Sequence, residues 1–422
     1  MPLIISLVIL VVGGPFMAFP ELVPESWRHA VILFATVSAL GSAVWTMQPF
    51  VGLRWPVALL AATLALNAVL HADAAVVSLR HSSGVALGML TMAVLAIGAN
   101  SELRVRLACV AIGIGGLVLV LAGAGSTYFG WDGQKLVVGS TSEQQKLLYP
   151  WLPQAQLPLP GLEPEGGWIN ANALGGTALM VLPFLAGLAA AATRLSGSSR
   201  VIGLTIGIPG TILSLSAIWM SRSRTALLGT VILIVLVAIG WRAIRRYVVV
   251  MLIIAAMAFA VGWNARRQAA PEIFDAGLTS TINNLETRAS YWRLALTTIG
   301  TSPLIGIGVS RFHGGPPGEN GERAYIAHAH NIFLQVLLDV GLIGLTGYLW
   351  IFGWCAGSAR RPSPTAAGLV AAGAAFSLIA VHLFGLTDAI ALGAKVGLFQ
   401  WMCAGLVIAL SHRTGQAADG PL

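Results

Sequence analysis

His330 and Asn331 stand where a charged, Gly/Pro-rich stretch gives way to an apolar run, so an imidazole is set at the boundary between water and a hydrophobic phase. Such an imidazole can exchange protons with bulk water while its other nitrogen faces a drier interior, which suits a general base. Its companions follow along one segment: His328 two residues earlier, Gln335 and Asp339 inside the apolar run, then Gly341 and Gly344. Taken alone, the two glycines mark close packing between small residues on neighbouring helices. His328 and His330 make an H-x-H pair, but no third ligand with metal-site spacing stands near them in the sequence, and no metal or cofactor is expected.

Cations form the second group. Arg222 and Arg224, in Ser221-Arg222-Ser223-Arg224, fill a short break between two apolar runs. They either snorkel to lipid phosphates or meet a local anion. Arg288, Tyr291, Trp292 and Ala295 repeat at i, i+3, i+4, i+7, which predicts a helix over 284–299 that stops before Pro303. That stripe fits either an amphipathic helix lying on a membrane surface or one presenting a functional arginine. Arg293 and Arg311 are weaker candidates. Asn170 and Asn172, at the entry to an apolar run, could cap a helix or bind sugar hydroxyls. Asp388 and Lys395, seven residues apart, could simply pair.

The elements that must carry these residues are membrane helices. Of 422 residues, 56% are hydrophobic and only 9% charged, against about a quarter charged in soluble chains. Apolar runs predict an all-α polytopic membrane protein, a single integral membrane domain over 1–422 with about 12 transmembrane helices. The spans fall at 3–19, 30–47, 56–70, 84–99, 107–124, 168–192, 201–220, 226–239, 248–263, 331–354, 366–386 and 392–411. The first lacks a basic flank and a small-residue cleavage site, and is expected to be retained. Cys109, Cys355 and Cys403 lie within or at the edge of apolar runs and are expected to be inert packing residues.

Alternating the spans sorts the charges. One set of breaks collects arginines from Arg54 to Arg413, including Arg242, Arg245, Arg246, Arg360 and Arg361, against only Glu102 and Asp419. By the positive-inside rule that set is cytoplasmic, with both termini. The net charge of +8 is then a topological bias, and no nucleic-acid partner is needed to explain it. Two long breaks fall on the opposite, non-cytoplasmic side: 125–167, which its five prolines mark as an irregular loop, and 264–330, expected to be partly helical and to carry active-site residues.

His330-Asn331, nine residues, then Gly341-Leu342-Ile343-Gly344 resembles the signature of the bacterial O-antigen ligase family, in a superfamily shared with the O-antigen polymerases. Ser223-Arg224, and Arg288-Ala289-Ser290-Tyr291-Trp292 followed by Ser302-Pro303-Leu304-Ile305-Gly306-Ile307-Gly308, extend the resemblance, which covers roughly 170–401. It implies transfer of O-antigen from undecaprenyl diphosphate to lipid A-core at the periplasmic face of the bacterial inner membrane. His330 would be the base, and Arg224 and Arg288 the diphosphate ligands. Arg222, Asn172, Tyr291, Trp292, Arg311, His328, Asn331 and Asp388 would lend support. No D-x-D pair or phosphate-cradling GxxxxGK[ST] loop is present, so a nucleotide-sugar donor is not expected. The alternatives are a polymerase or another lipid-linked glycan transferase of the superfamily. A lipid-linked glycan flippase or transporter, of a different class, would place its ionisable groups near the bilayer midplane.

Overall fold

The computed structural model describes residues 25–46, 48–70, 76–131, 135–138, 155–158, 171–221, 223–240, 271–312, 328–357, 365–388 and 397–418. Among the described residues eleven α-helices run in order: α1 Glu25–Thr46, α2 Arg54–Leu70, α3 Val76–Gly98, α4 Glu102–Tyr128, α5 Ala171–Ala192, α6 Gly197–Ser221, α7 Arg224–Gly240, α8 Pro271–Ile299, α9 Ile332–Gly357, α10 Ala366–Phe384 and α11 Gly397–Ala418. Six contain apolar stretches long enough to cross a membrane: His81–Gly98, Glu102–Ala124, Asn172–Ala192, Gly197–Ser221, Ile332–Gly357 and Ala366–Phe384. A multi-pass membrane protein follows, since about 20 apolar residues at 1.5 Å each span the hydrocarbon layer. The spans expected at 3–19 and 248–263 lie outside the described residues.

Why these runs become helices is a matter of backbone polarity. In hydrocarbon each N–H and C=O must be satisfied within the segment, which a helix does. Outward-facing Val94, Val118, Ile212 and Leu228 are 54–61% exposed on their helix surfaces, as lipid-facing side chains are, while the inward faces form one large cluster containing Phe184, Tyr348, Phe384, Phe399 and Trp401. Between α5 and α10 the backbones nearly touch. A Cβ on Gly187 would stand 2.9 Å from the Gly373 Cα and the Leu369 carbonyl, so only glycine fits. Nearby, Pro183 sits inside α5, and the Phe184 N–H donates to Ser377 Oγ on α10 at 3.1 Å.

The loop over 125–167 corrects one expectation. Its described residues include a three-stranded antiparallel sheet, β1 Phe129–Trp131, β2 Lys135–Val138 and β3 Ala155–Pro158, with Gly130 opposite Val137 and Leu136 opposite Leu157. The prolines punctuate it, but most stand outside the strands, and Pro158 closes the last one, where a missing N–H costs least.

α9 is broken at Gly341, whose backbone is at φ 65°, ψ −173°. The break orphans polar groups, and a loop repairs them. Leu342 N donates to Pro303 O at 2.9 Å and Ile343 N to Leu304 O at 3.1 Å, while the Leu338 carbonyl accepts from Ile307 N at 2.7 Å. Asn67, on α2, donates to both the Asp339 carbonyl (3.1 Å) and the Ile305 carbonyl (2.7 Å). The 303–308 turn is thereby threaded into the notch of α9, and its Gly306 (φ 77°) sits 2.6 Å, measured from where a Cβ would be, from Gly341 N and Leu338 O. Membrane helices tolerate such breaks only when neighbours take over the freed groups in this way.

Candidate active site

α9 starts against the end of α10. Asn331 Oδ1 accepts from Phe333 N and Leu334 N, both at 3.0 Å, which caps the helix, and its Nδ2 donates to Leu386 O at 3.0 Å. Ile332 N donates to Gly385 O at 2.7 Å. These bonds fix the residue before the cap and the residue beyond the turn opposite each other: His330 Nδ1 and Asp388 Oδ1 are 3.2 Å apart. Asp388 sits deeper than His330, at 12% side-chain exposure against 29%. A carboxylate facing Nδ1 places the ring proton there and leaves the Nε2 lone pair for an incoming hydroxyl.

His330 itself is held in the left-handed region, at φ 48°. For a residue with a Cβ such a conformation costs on the order of 1–3 kcal/mol and persists where surrounding contacts over-determine it. Here they do. The Tyr291 ring stacks on the imidazole at 5.6 Å and 24°, His328 packs against it at 4.1 Å, and His330 N donates to His328 Nδ1 at 3.2 Å. Burial above all, and then the nearby His330 and Arg288, hold the His328 imidazole below its usual pKa against the opposing pull of Asp388.

α8 delivers the aromatic and cationic groups as its stripe predicted. Ala295 is fully buried, in a small cluster with Phe312, Ala329 and Leu338, and Tyr291 and Leu294 pack on it. Arg288, one turn before Tyr291, is half-buried and close enough to bear on His328. Trp292 presents an indole N–H that is buried and has no hydrogen-bond partner among the described residues. Arg311 is half-buried beyond the glycine turn, and Arg293 is exposed.

The remaining arginine arrives from α7. Ser223 caps that helix, its Oγ accepting from Ala226 N at 3.3 Å, and Arg224 is its first residue, exposed. A guanidinium at the positive end of a helix macrodipole is unfavourable alone and favourable beside an anion. Thr225 Oγ1 lies 2.8 Å from Thr387 Oγ1, which sets the start of α7 beside the residue preceding Asp388. α5 joins the same end, because Gly175 abuts Ser221, Ser223 and Ala226; Asn172, in its first turn, is exposed. Arg222 and Asn170 lie outside the described residues, as does Lys395, the expected partner of Asp388; among the described residues Asp388 meets His330.

Beneath the site runs a buried polar chain. Ala329 N donates to Gln335 Oε1 (2.9 Å), Gln335 Nε2 donates to Asp339 Oδ1 (2.8 Å), and Ser310 N donates to the same carboxylate oxygen (3.2 Å). It ties the histidine segment to the glycine turn and gives Asp339 a positioning role. Sequence reasoning missed Asn67, Thr225 and Thr387. A lone amide inside the apolar run of α2 was a readable signal for the first; the threonines carried none.

Asp388 also changes the metal question. His328, His330 and Asp388 each offer a ligand atom, and these lie within 4.8 Å of one another. The third ligand absent from the local sequence comes from 58 residues downstream.

No curated protein matches the chain. Residues 209–349, which include Ser223-Arg224, Arg288 and the His330–Gly344 segment, match the family model for O-antigen ligase, so this third of the chain is similar to that family.

Proposed function

We propose that the protein is an O-antigen ligase: it transfers glycan from undecaprenyl diphosphate to a hydroxyl of lipid A-core, at the periplasmic face of the inner membrane, with twelve spans and both termini in the cytoplasm. The observation that carries the chemistry is the His330–Asp388 contact at 3.2 Å, with Tyr291 on the imidazole and Arg288 close by. His330 Nε2 takes the acceptor hydroxyl proton as the acceptor oxygen bonds to the anomeric carbon. The bond from that carbon to the diphosphate oxygen breaks on the opposite side, which inverts the centre. Asp388 holds the imidazole and stabilises its charge.

The departing diphosphate gains negative charge, and Arg288 and Arg224 meet it with planar, permanently charged donors, so the step needs no metal ion. The starts of α5, α7 and α9 and the end of α10 lie at one end of the bundle, which agrees with alternating spans and a single working face. A transporter would need ionisable groups exposed along a midplane path. Among the described residues, the histidine pair and Asp388 instead lie at helix ends, and Asp339 is spent on hydrogen bonds.

Deletion of the gene followed by gel analysis of lipopolysaccharide tests the assignment. A ligase leaves core without ladder and accumulates lipid-linked polymer. A single capped repeat would instead mean that the same site extends a lipid-linked chain, as a polymerase does.

A further inference from the structure

We propose that His328, His330 and Asp388 form a binding site for a borderline divalent transition-metal ion, with zinc the best fit, and that the ion inhibits transfer by occupying His330; the inhibition rests on the base role proposed above, the binding does not. Two imidazoles and a carboxylate are the donor set that zinc takes at sites with an open position, and two nitrogens among three ligands disfavour calcium and magnesium. The spacing is close to what such an ion needs. Bonds of about 2.0–2.1 Å in a tetrahedral array put ligand atoms roughly 3.3 Å apart. His330 Nδ1 and Asp388 Oδ1 already stand at 3.2 Å, and no pair in the set exceeds 4.8 Å, so a side-chain adjustment of His328 completes the triangle.

The surroundings favour a reversible ligand over a resident one. His328 is half-buried and packs on His330 at 4.1 Å, while the positive charge of Arg288 close by repels a cation. The Tyr291 ring stacks on one face of the His330 imidazole, and three protein ligands leave the fourth tetrahedral position to water or to an acceptor oxygen.

Inhibition follows from the two nitrogens of one ring. If the ion binds Nε2, the lone pair that would accept the hydroxyl proton is occupied. If it binds Nδ1, the proton moves to Nε2 and the lone pair is again lost. Either way His330 can no longer act as base, and transfer should fall toward the loss of about 10²-fold typical of a missing general base.

The full-length protein, purified in detergent, is equilibrated with zinc or cobalt(II) and freed of unbound ion, alongside His328→Ala and Asp388→Asn variants that elute as monodisperse species. Wild type should retain about one ion per chain, with the intense visible bands of tetrahedral cobalt, and both variants should lose them. In a transfer assay, zinc should suppress wild-type turnover and chelator should restore it, while whatever turnover His328→Ala retains should change by less than about twofold. Equal metal content in wild type and both variants overturns the site. Specific binding with undiminished wild-type transfer overturns the inhibition and the base role together, and turnover by a His330→Ala variant would overturn the base role alone.

Discussion

Gly341→Ala should unfold the site from below. At φ 65°, ψ −173° the residue occupies a region essentially reserved for glycine, and an alanine held there costs on the order of 1–3 kcal/mol. The added Cβ would also fall well under 3.0 Å from the Leu304 carbonyl and Gly306 N, both backbone, so the turn must withdraw from the notch in α9. Withdrawal breaks the bonds Leu342 to Pro303, Ile343 to Leu304 and Ile307 to Leu338. At about 0.5–1.5 kcal/mol each, and more where the groups stay buried, these add roughly 2–4 kcal/mol. A total of roughly 3–7 kcal/mol is a large part of a marginal stability of about 5–15 kcal/mol. The assay is thermal unfolding of detergent-purified protein, with yield by size-exclusion chromatography. Gly353→Ala on the same helix is the control, since a Cβ there meets nothing within 4 Å. If the two variants melted together at the wild-type temperature, the threading of the turn through α9 would be wrong.

Three further outcomes follow from the site. Asp388→Asn keeps the shape of the His330 partner but loses its charge, and should lower turnover by about tenfold or more while leaving donor binding intact; unchanged turnover would remove Asp388 from the mechanism. Arg224→Lys and Arg288→Lys retain charge but lose the planar fork, and each should weaken transfer substantially, as measured by donor titration; full activity in both would refute the diphosphate clamp. His328 is neutral in both folded and unfolded chains at high pH. As pH falls below about 6.5 the unfolded chain takes up a proton that the depressed folded group refuses, so stability drops, and His328→Gln should flatten that part of the melting-temperature profile. An identical slope in the variant would show that burial of His328 does not govern the acid limb.

Much of this was legible because membrane helices write themselves as uninterrupted apolar runs, and α8 as a stripe: Arg288, Tyr291, Trp292 and Ala295 share the face that the structure buries, and the helix ends at Ile299, before Pro303. The glycine spacing was legible in kind only. Gly344 does pack against Thr63 of α2, but Gly341 meets a loop, and a positive φ leaves no trace in sequence. His330 and Asp388 could each be nominated, yet their contact depends on how the cap of α9 is sewn to Gly385 and Leu386, which no spacing encodes. Likewise the H-x-H pair showed no third ligand because the third comes from another helix end. Short strands in a proline-rich stretch gave no run long enough to read.

The most direct measurement is turnover of His330→Ala at wild-type expression, in membranes, with a lipid diphosphate-linked donor and lipid A-core as acceptor. The variant should insert, fold and bind donor through Arg224 and Arg288, yet transfer at least about 10²-fold more slowly than wild type. Transfer by His330→Ala at a rate comparable to wild type would place acceptor activation elsewhere and contradict the account at its centre.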